Sequence, residues 1–301
     1  MEIQYFNRKK GLIETEKVYG EKGIKWLYES SIGSSVAKLL AGPGVSRWYG
    51  SMQDFSLSKG KIKKFIENFQ INMDDYIPED GRSDEDPYST FNQFFIRRFK
   101  EGKRNFTSNS DVFCSPAEAR YFAYSSLTDD ETIPVKGTYL SAKELLKDER
   151  WYPDFAGGPV LLARLCPVDY HRFHFPDEGT FLDSYPIHGE YHSVNPIALK
   201  WNPKIFMENE RHVSILKTKN FGKIAYVEVG AMMVGKIIQT LKNDYFNRGE
   251  EKGYFLFGGS TVIIFGQKGE WTPDSDIVQN TKKGLETYLQ LGEECGRKII
   301  K

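Results

Sequence analysis

The chain has 301 residues, 40% of them hydrophobic and 14% aromatic, enough to bury a sizeable core in one large domain or two modest ones. Lys plus Arg and Asp plus Glu each number 41, so the net charge is zero and no global field favours nucleic acid or another polyanion. Cys114, Cys166 and Cys295 lie far apart and outside any C-x-x-C pattern, which argues against a disulfide framework and a zinc ribbon and for a reducing, cytosolic compartment.

The opening MEIQYFNRKKG has no apolar h-region, so no signal peptide is expected, and no stretch reaches the roughly 18 apolar residues of a spanning helix. Up to residue 84 the pattern predicts helices. Trp26 and Leu27, then Val36, Leu39 and Leu40, then Ile62, Phe65, Ile66 and Phe69 recur at three- and four-residue spacing, with glycines between them. Trp26, Tyr28, Trp48, Tyr49 and Phe55 stand near Lys25, Arg47, Lys61, Lys63 and Lys64. Aromatic and basic residues on amphipathic helices suit a membrane interface, and equally a face turned to the protein's own core.

GRSDEDPYS, residues 81–89, reads as a linker, and FNQFFIRRFK, 91–100, as a short helix. Beyond it most segments predict strands: 159–165, 223–240, the YFLF and TVIIF runs, and 285–291. The expected fold is α+β, with a helical region over 1–84 packed on a β-rich, barrel- or sandwich-like catalytic body over 85–301.

Three constellations carry candidate chemistry. DYHRFHFP, 169–176, holds His171 and His174, with His188 and His192 nearby. A metal site, ordinary structural histidines and proton transfer all stay open there, although the flanking Pro167 and Pro176 and the lack of helical period count against metal. On a strand the two histidines would face opposite ways. SPAEARYFAY, 115–124, places Glu118 at the entry of a strand, where a lone carboxylate is usually a solvated surface group. GYFLFGGSTVIIFG, 253–266, interrupts a buried strand with Gly258, Gly259 and Ser260. It lacks the strand-to-helix context of a nucleophile elbow and the lysine of a phosphate loop, leaving a glycine bulge as its plainest reading.

Taken together in chain order, FNQFFIRRFK, SPAEAR, VKG (135–137), RLCPVDYHRFHFP (164–176), YHSVNPIAL (191–199), ENER (208–211), EVGAMMVGKI (228–237) and GEEKGYFLFGGSTVIIF (249–265) resemble the phosphatidylserine decarboxylase pro-enzymes of the Firmicute type. The resemblance implies that the chain cuts itself between Gly259 and Ser260. Ser260 would become a pyruvoyl group at the head of residues 260–301, so that no external cofactor and no metal is required. It maps His174 onto the base of self-cleavage, His171 onto the acid of decarboxylation and Glu118 onto the carboxylate that orients the base.

The family's S-P-x-D-G is here Ser-Pro-Ala-Glu118-Ala119, so a processing-impaired relative that binds aminophospholipid without turnover is the alternative. The implied partners are phosphatidylserine and an anionic membrane surface, with peripheral attachment to the cytoplasmic face of the cell membrane, no nucleic acid, and a homodimer left open.

Overall fold

The computed structural model describes the chain apart from residues 1–2, 19, 21–22, 24–25, 29, 31–32, 34–35, 38–39, 43, 45–49, 128–131, 134–137, 232–235, 259 and 301. The expectations placed on Lys25, Leu39, Arg47, Trp48, Tyr49, the VKG segment, the middle of EVGAMMVGKI and Gly259 therefore lie outside the described residues.

Among the described residues, ten strands form one sheet in the order Tyr245–Phe246, Gly179–Ile187, Arg211–Thr218, Lys223–Gly230, Ser260–Gly266, Val160–Leu165, Ala119–Tyr124, Glu286–Leu289, Gln4–Asn7 and Leu12–Thr15. Adjacent strands are antiparallel except Gln4–Asn7 beside Glu286–Leu289, which is parallel. The central strands are covered on both faces, so Val160–Leu165 and Ser260–Gly266 are buried at every residue and read as continuous apolar runs. Gly179–Ile187 keeps one wet face, and its burial alternates accordingly.

A smaller sheet of Arg172–His174, Glu251–Phe255 and Ile237–Gln239 lies against this sheet. The Tyr226 hydroxyl donates to the His174 carbonyl at 3.3 Å, and Lys252 pairs with Glu228 at 2.6 Å with both side chains fully buried. Residues 223–240, expected as one strand, are two strands belonging to different sheets.

The α+β class holds, with a β-rich body. The helix Ile62–Phe69 follows its apolar period: Ile62 and Phe65 are buried, Ile66 and Phe69 pack beside them, and Gln70 ends it in the left-handed conformation at φ 53°. The first residues differ from the helical expectation, because Gln4–Asn7 and Leu12–Thr15 form a hairpin on the main sheet. Its pairing partner, Glu286–Leu289, is some 280 residues away in sequence, and so short a segment has no local period to announce it.

Candidate active site

The geometry around Ser260 follows from where its strand starts. Ser260 is the first residue of Ser260–Gly266, opposite Leu165 on one side and Gly230 on the other, and is fully buried. Two residues earlier, Gly258 sits at φ 144°, a backbone region open in practice to glycine alone. That strain accounts for a glycine in an otherwise apolar strand run.

Ser260 Oγ lies 3.3 Å from His171 Nδ1, a length ordinary for a catalytic pair before substrate engagement. The other ring nitrogen, Nε2, is 2.8 Å from the Cys166 carbonyl. A carbonyl can only accept, so Nε2 carries the proton and Nδ1 offers its lone pair to the serine. Burial, then the nearby Arg97 charge, push the His171 pKa down to about 3 against the opposing pull of the Cys166 carbonyl, so the imidazole is neutral. Phe95 stacks on the ring with centroids 3.8 Å apart.

Phe95 belongs to Phe91–Phe95, a short helix capped by the Thr90 hydroxyl on the Gln93 N–H at 3.2 Å. The same helix holds the chain just before the serine, since Asn92 Oδ1 accepts from the Phe257 N–H at 2.9 Å and the Phe257 ring packs edge-on against Phe91 and Phe95. His171 and the glycine loop are thus set by one helix turn. Arg97, directly after it, donates to the Val168 and Asp169 carbonyls at 2.9 and 3.1 Å and so holds the turn carrying the Cys166 carbonyl. Asp169 closes that turn, accepting from the Cys166 N–H at 2.7 Å and from Arg120 at 2.6 Å.

His174 does not reach the serine. Its Nδ1–H donates to the Gly249 carbonyl at 2.9 Å, leaving Nε2 to accept from the Tyr170 hydroxyl at 3.1 Å. Burial lowers its pKa. Three residues apart on an extended segment, the two histidines turn toward different neighbours, and the extra residue at the register shift, Lys252, belongs to the facing strand.

Glu118 departs from expectation as well, because neither histidine is its partner. Its carboxylate takes Arg104 Nε and Nη2 at 2.5 and 3.0 Å, the Tyr288 hydroxyl at 2.9 Å and the Leu291 N–H at 3.4 Å. With its lone pairs so engaged, it ties two parts of the chain together. Lys236 is exposed, its carbonyl accepting from the Leu256 N–H at 3.1 Å; nothing in the structure explains its charge.

Among the described residues no group of three or more His, Cys, Asp or Glu could hold a metal ion. Phe95, Asn92, Arg97 and Asp169 were not singled out as site residues from sequence. The signal lay in the FNQFFIRRFK and CPVDYH motifs themselves, whose polar members Asn92, Arg97 and Asp169 are all buried.

A family model for phosphatidylserine decarboxylase matches residues 91–297. A phosphatidylserine decarboxylase proenzyme of Clostridium novyi is 43% identical over 299 residues, covering 99% of this chain and 100% of the relative. Proenzymes of the same name from Clostridium perfringens, at 43% over 298 residues, and Fusobacterium nucleatum, at 42% over 296, cover 98% of this chain and 100% and 97% of their own lengths. With a buried histidine poised on the serine of a strained glycine loop and relatives that match from end to end, the chain belongs to the phosphatidylserine decarboxylase family.

Proposed function

We propose that this protein is a self-cleaving, pyruvoyl-dependent carboxy-lyase that converts phosphatidylserine to phosphatidylethanolamine. The observation that carries the reading is the Ser260 Oγ to His171 Nδ1 contact at 3.3 Å, with the tautomer set by the Cys166 carbonyl at 2.8 Å.

In the cutting step His171 Nδ1 takes the hydroxyl proton while Oγ attacks the Gly259 carbonyl carbon. The peptide C–N bond breaks as the C–O bond forms, and the imidazolium returns its proton to the departing amine, leaving an ester. Loss of the Ser260 α-proton then expels the Gly259 carboxylate from Cβ. The resulting unsaturated amine tautomerises, and water releases ammonia to leave a ketone at position 260. The site suits that group: Ser260 is fully buried, Phe95 stacks on the His171 ring that faces it, and the serine is the first residue of a strand paired on both sides. The pyruvoyl group supplies a ketone that accepts the substrate amine and the electrons left behind by carbon dioxide. His171 Nδ1, already seated at this atom, is positioned to take up a proton from the incoming substrate amine and to hand it on to the carbon that loses carbon dioxide.

This reading gives His171 the base role first expected of His174. The alternative of binding without turnover was motivated by Glu118-Ala119, and Glu118 is committed to Arg104 and Tyr288, away from the serine. Glu118→Gln is expected to lower stability by about 1 to 3 kcal/mol, because it leaves the nearly buried Arg104 with Asp75, 3.5 Å away, as its remaining counter-charge. A denaturant midpoint measured on uncut protein checks this. The double change Glu118→Asp with Ala119→Gly is expected not to speed cutting.

Membrane attachment is part of the same proposal. Among the described residues no helix is long and apolar enough to cross a membrane. Met52, Phe55 and Leu57 are 42, 64 and 92% exposed, beside exposed Lys63 and Lys64. This segment is tied to the site helix, with Asn92 Nδ2 donating to Asp54 at 2.7 Å and the Phe91 N–H to Ser58 Oγ at 2.8 Å. An anionic bilayer meeting Leu57 would therefore present headgroups near the serine. Phe55→Ser with Leu57→Ser is expected to weaken sedimentation with phosphatidylserine vesicles severalfold, while turnover of a soluble short-chain substrate is unchanged. Equal losses on both would speak against a lipid-facing role.

The test of the function as a whole is purified protein run on a denaturing gel and assayed for carbon dioxide release from phosphatidylserine. Two fragments and release support it, whereas one intact band without release refutes it.

A further inference from the structure

The N-terminal hairpin delivers a buried carboxylate to the back of the site. Glu16 follows the strand Leu12–Thr15, and its N–H donates to the Ile3 carbonyl at 2.8 Å. Its Oε2 lies 3.0 Å from Arg120 Nε and 2.7 Å from Arg164 Nη2, with all three side chains 5% exposed or less. Arg120 and Arg164 are directly paired residues of neighbouring strands. Two guanidiniums side by side in a low-dielectric interior repel, and the carboxylate between them offsets that repulsion together with Asp169 on Arg120 and Glu286 on Arg164.

Each arginine then reaches the turn that seats the base. Arg120 donates to Asp169 at 2.6 Å, and Asp169 accepts from the Cys166 N–H. Arg164 donates to Cys166 Sγ at 3.0 Å and pairs with Glu286 at 2.6 Å. The Cys166 carbonyl is the group that fixes His171.

We infer that Glu16 is a positioning residue for the His171–Ser260 pair, holding through Arg120 and Arg164 the turn whose carbonyl orients the imidazole. The inference rests on the self-cleavage reading above. It makes the hairpin of Gln4–Asn7 and Leu12–Thr15, together with Glu16, part of the site, where sequence alone placed them in a helical region apart from the catalytic body.

Charge gives a readout that simple loss of structure would not. Asp169 faces Arg120, Glu16, Glu118 and the Cys166 N–H, with Tyr5 and Tyr288 also close, and burial raises its pKa to about 6. Arg120 opposes that rise and the Glu16 charge adds to it. Protonation of Asp169 is the event expected to slow cutting on acidification, since burial keeps His171 neutral well below that point. Removing the Glu16 charge makes Asp169 easier to ionise and moves that fall to lower pH.

The experiment follows cutting of freshly purified full-length chain across pH 4 to about 8, a range that brackets the raised Asp169 titration and that of an ordinary imidazole, for the parent, Glu16→Gln and Glu16→Asp. Glu16→Gln is expected to cut on the order of 100-fold more slowly, the scale of a misplacement of about 1 Å, with its acid fall displaced downward. Glu16→Asp, which keeps the charge but draws it back by one methylene, is expected to cut severalfold more slowly than the parent, with the acid fall where the parent has it. A folded Glu16→Gln chain that cuts at the parent rate with an unmoved profile overturns the inference. Should Glu16→Gln not fold, Glu16→Asp decides: slowed cutting without displacement supports it, and parent-rate cutting overturns it.

If the parent itself never cuts, the self-cleavage reading fails separately. The His171 ring N–H held on Cys166 then remains as the probe by NMR. Its solvent exchange quickens in Glu16→Gln if Glu16 positions the turn, and is unchanged if it does not.

Discussion

Ser260→Ala leaves a single uncut chain that contains no carbonyl trappable by hydroxylamine or borohydride and releases no carbon dioxide from phosphatidylserine. The effect is all-or-none because, in the proposed mechanism, the hydroxyl is both the nucleophile of cutting and the source of the ketone. The fold should be unharmed: Ser260 is buried in a strand paired on both sides, its hydroxyl contact is to His171, and alanine fills nearly the same space. A cooperative melt near that of the parent separates loss of chemistry from loss of structure. A trappable carbonyl in this variant would end the pyruvoyl reading.

His171→Ala is the second large effect, and it is expected to slow cutting by about 10² to 10⁴-fold, the usual worth of a positioned base. It should also lower carbon dioxide release by whatever molecules still mature, since the same nitrogen faces the reacting centre in both steps. His174→Ala is expected to keep cutting. Its cost is structural, at about 1 to 3 kcal/mol for leaving the Tyr170 hydroxyl and the Gly249 carbonyl without their partner in a part-buried site. Quantifying fragments against time for the two variants at equal folded fraction distinguishes them. Blocked cutting in His174→Ala with normal cutting in His171→Ala would reverse the roles.

Much of the body was legible because its signals are local. The apolar runs 159–165 and 285–291 become the strands Val160–Leu165 and Glu286–Leu289, and the period of Ile62, Phe65, Ile66 and Phe69 becomes a helix. The glycines before Ser260 were visible as an anomaly, and Gly258 has the positive φ that such an anomaly signals. Partner choice was not legible. Spacing set His171 and His174 on opposite faces of a strand, but which of them meets Ser260 depends on the turn at Cys166–Asp169, which spacing alone does not encode.

Glu118 likewise carries no mark of its partner, since Arg104 lies across a loop and Tyr288 on a strand 170 residues away. Glu16 was hidden for the same reason. Its carboxylate meets Arg164 from 148 residues away, through a hairpin whose register depends on the last third of the chain.

Intact-mass measurement of the purified parent, left to mature at neutral pH, tests the central claim most directly. Two fragments are predicted, residues 1–259 ending in a free carboxylate and residues 260–301 lighter than a serine-started fragment by the mass of ammonia. A single chain, a cut elsewhere, or a small fragment with an intact N-terminal serine would contradict it.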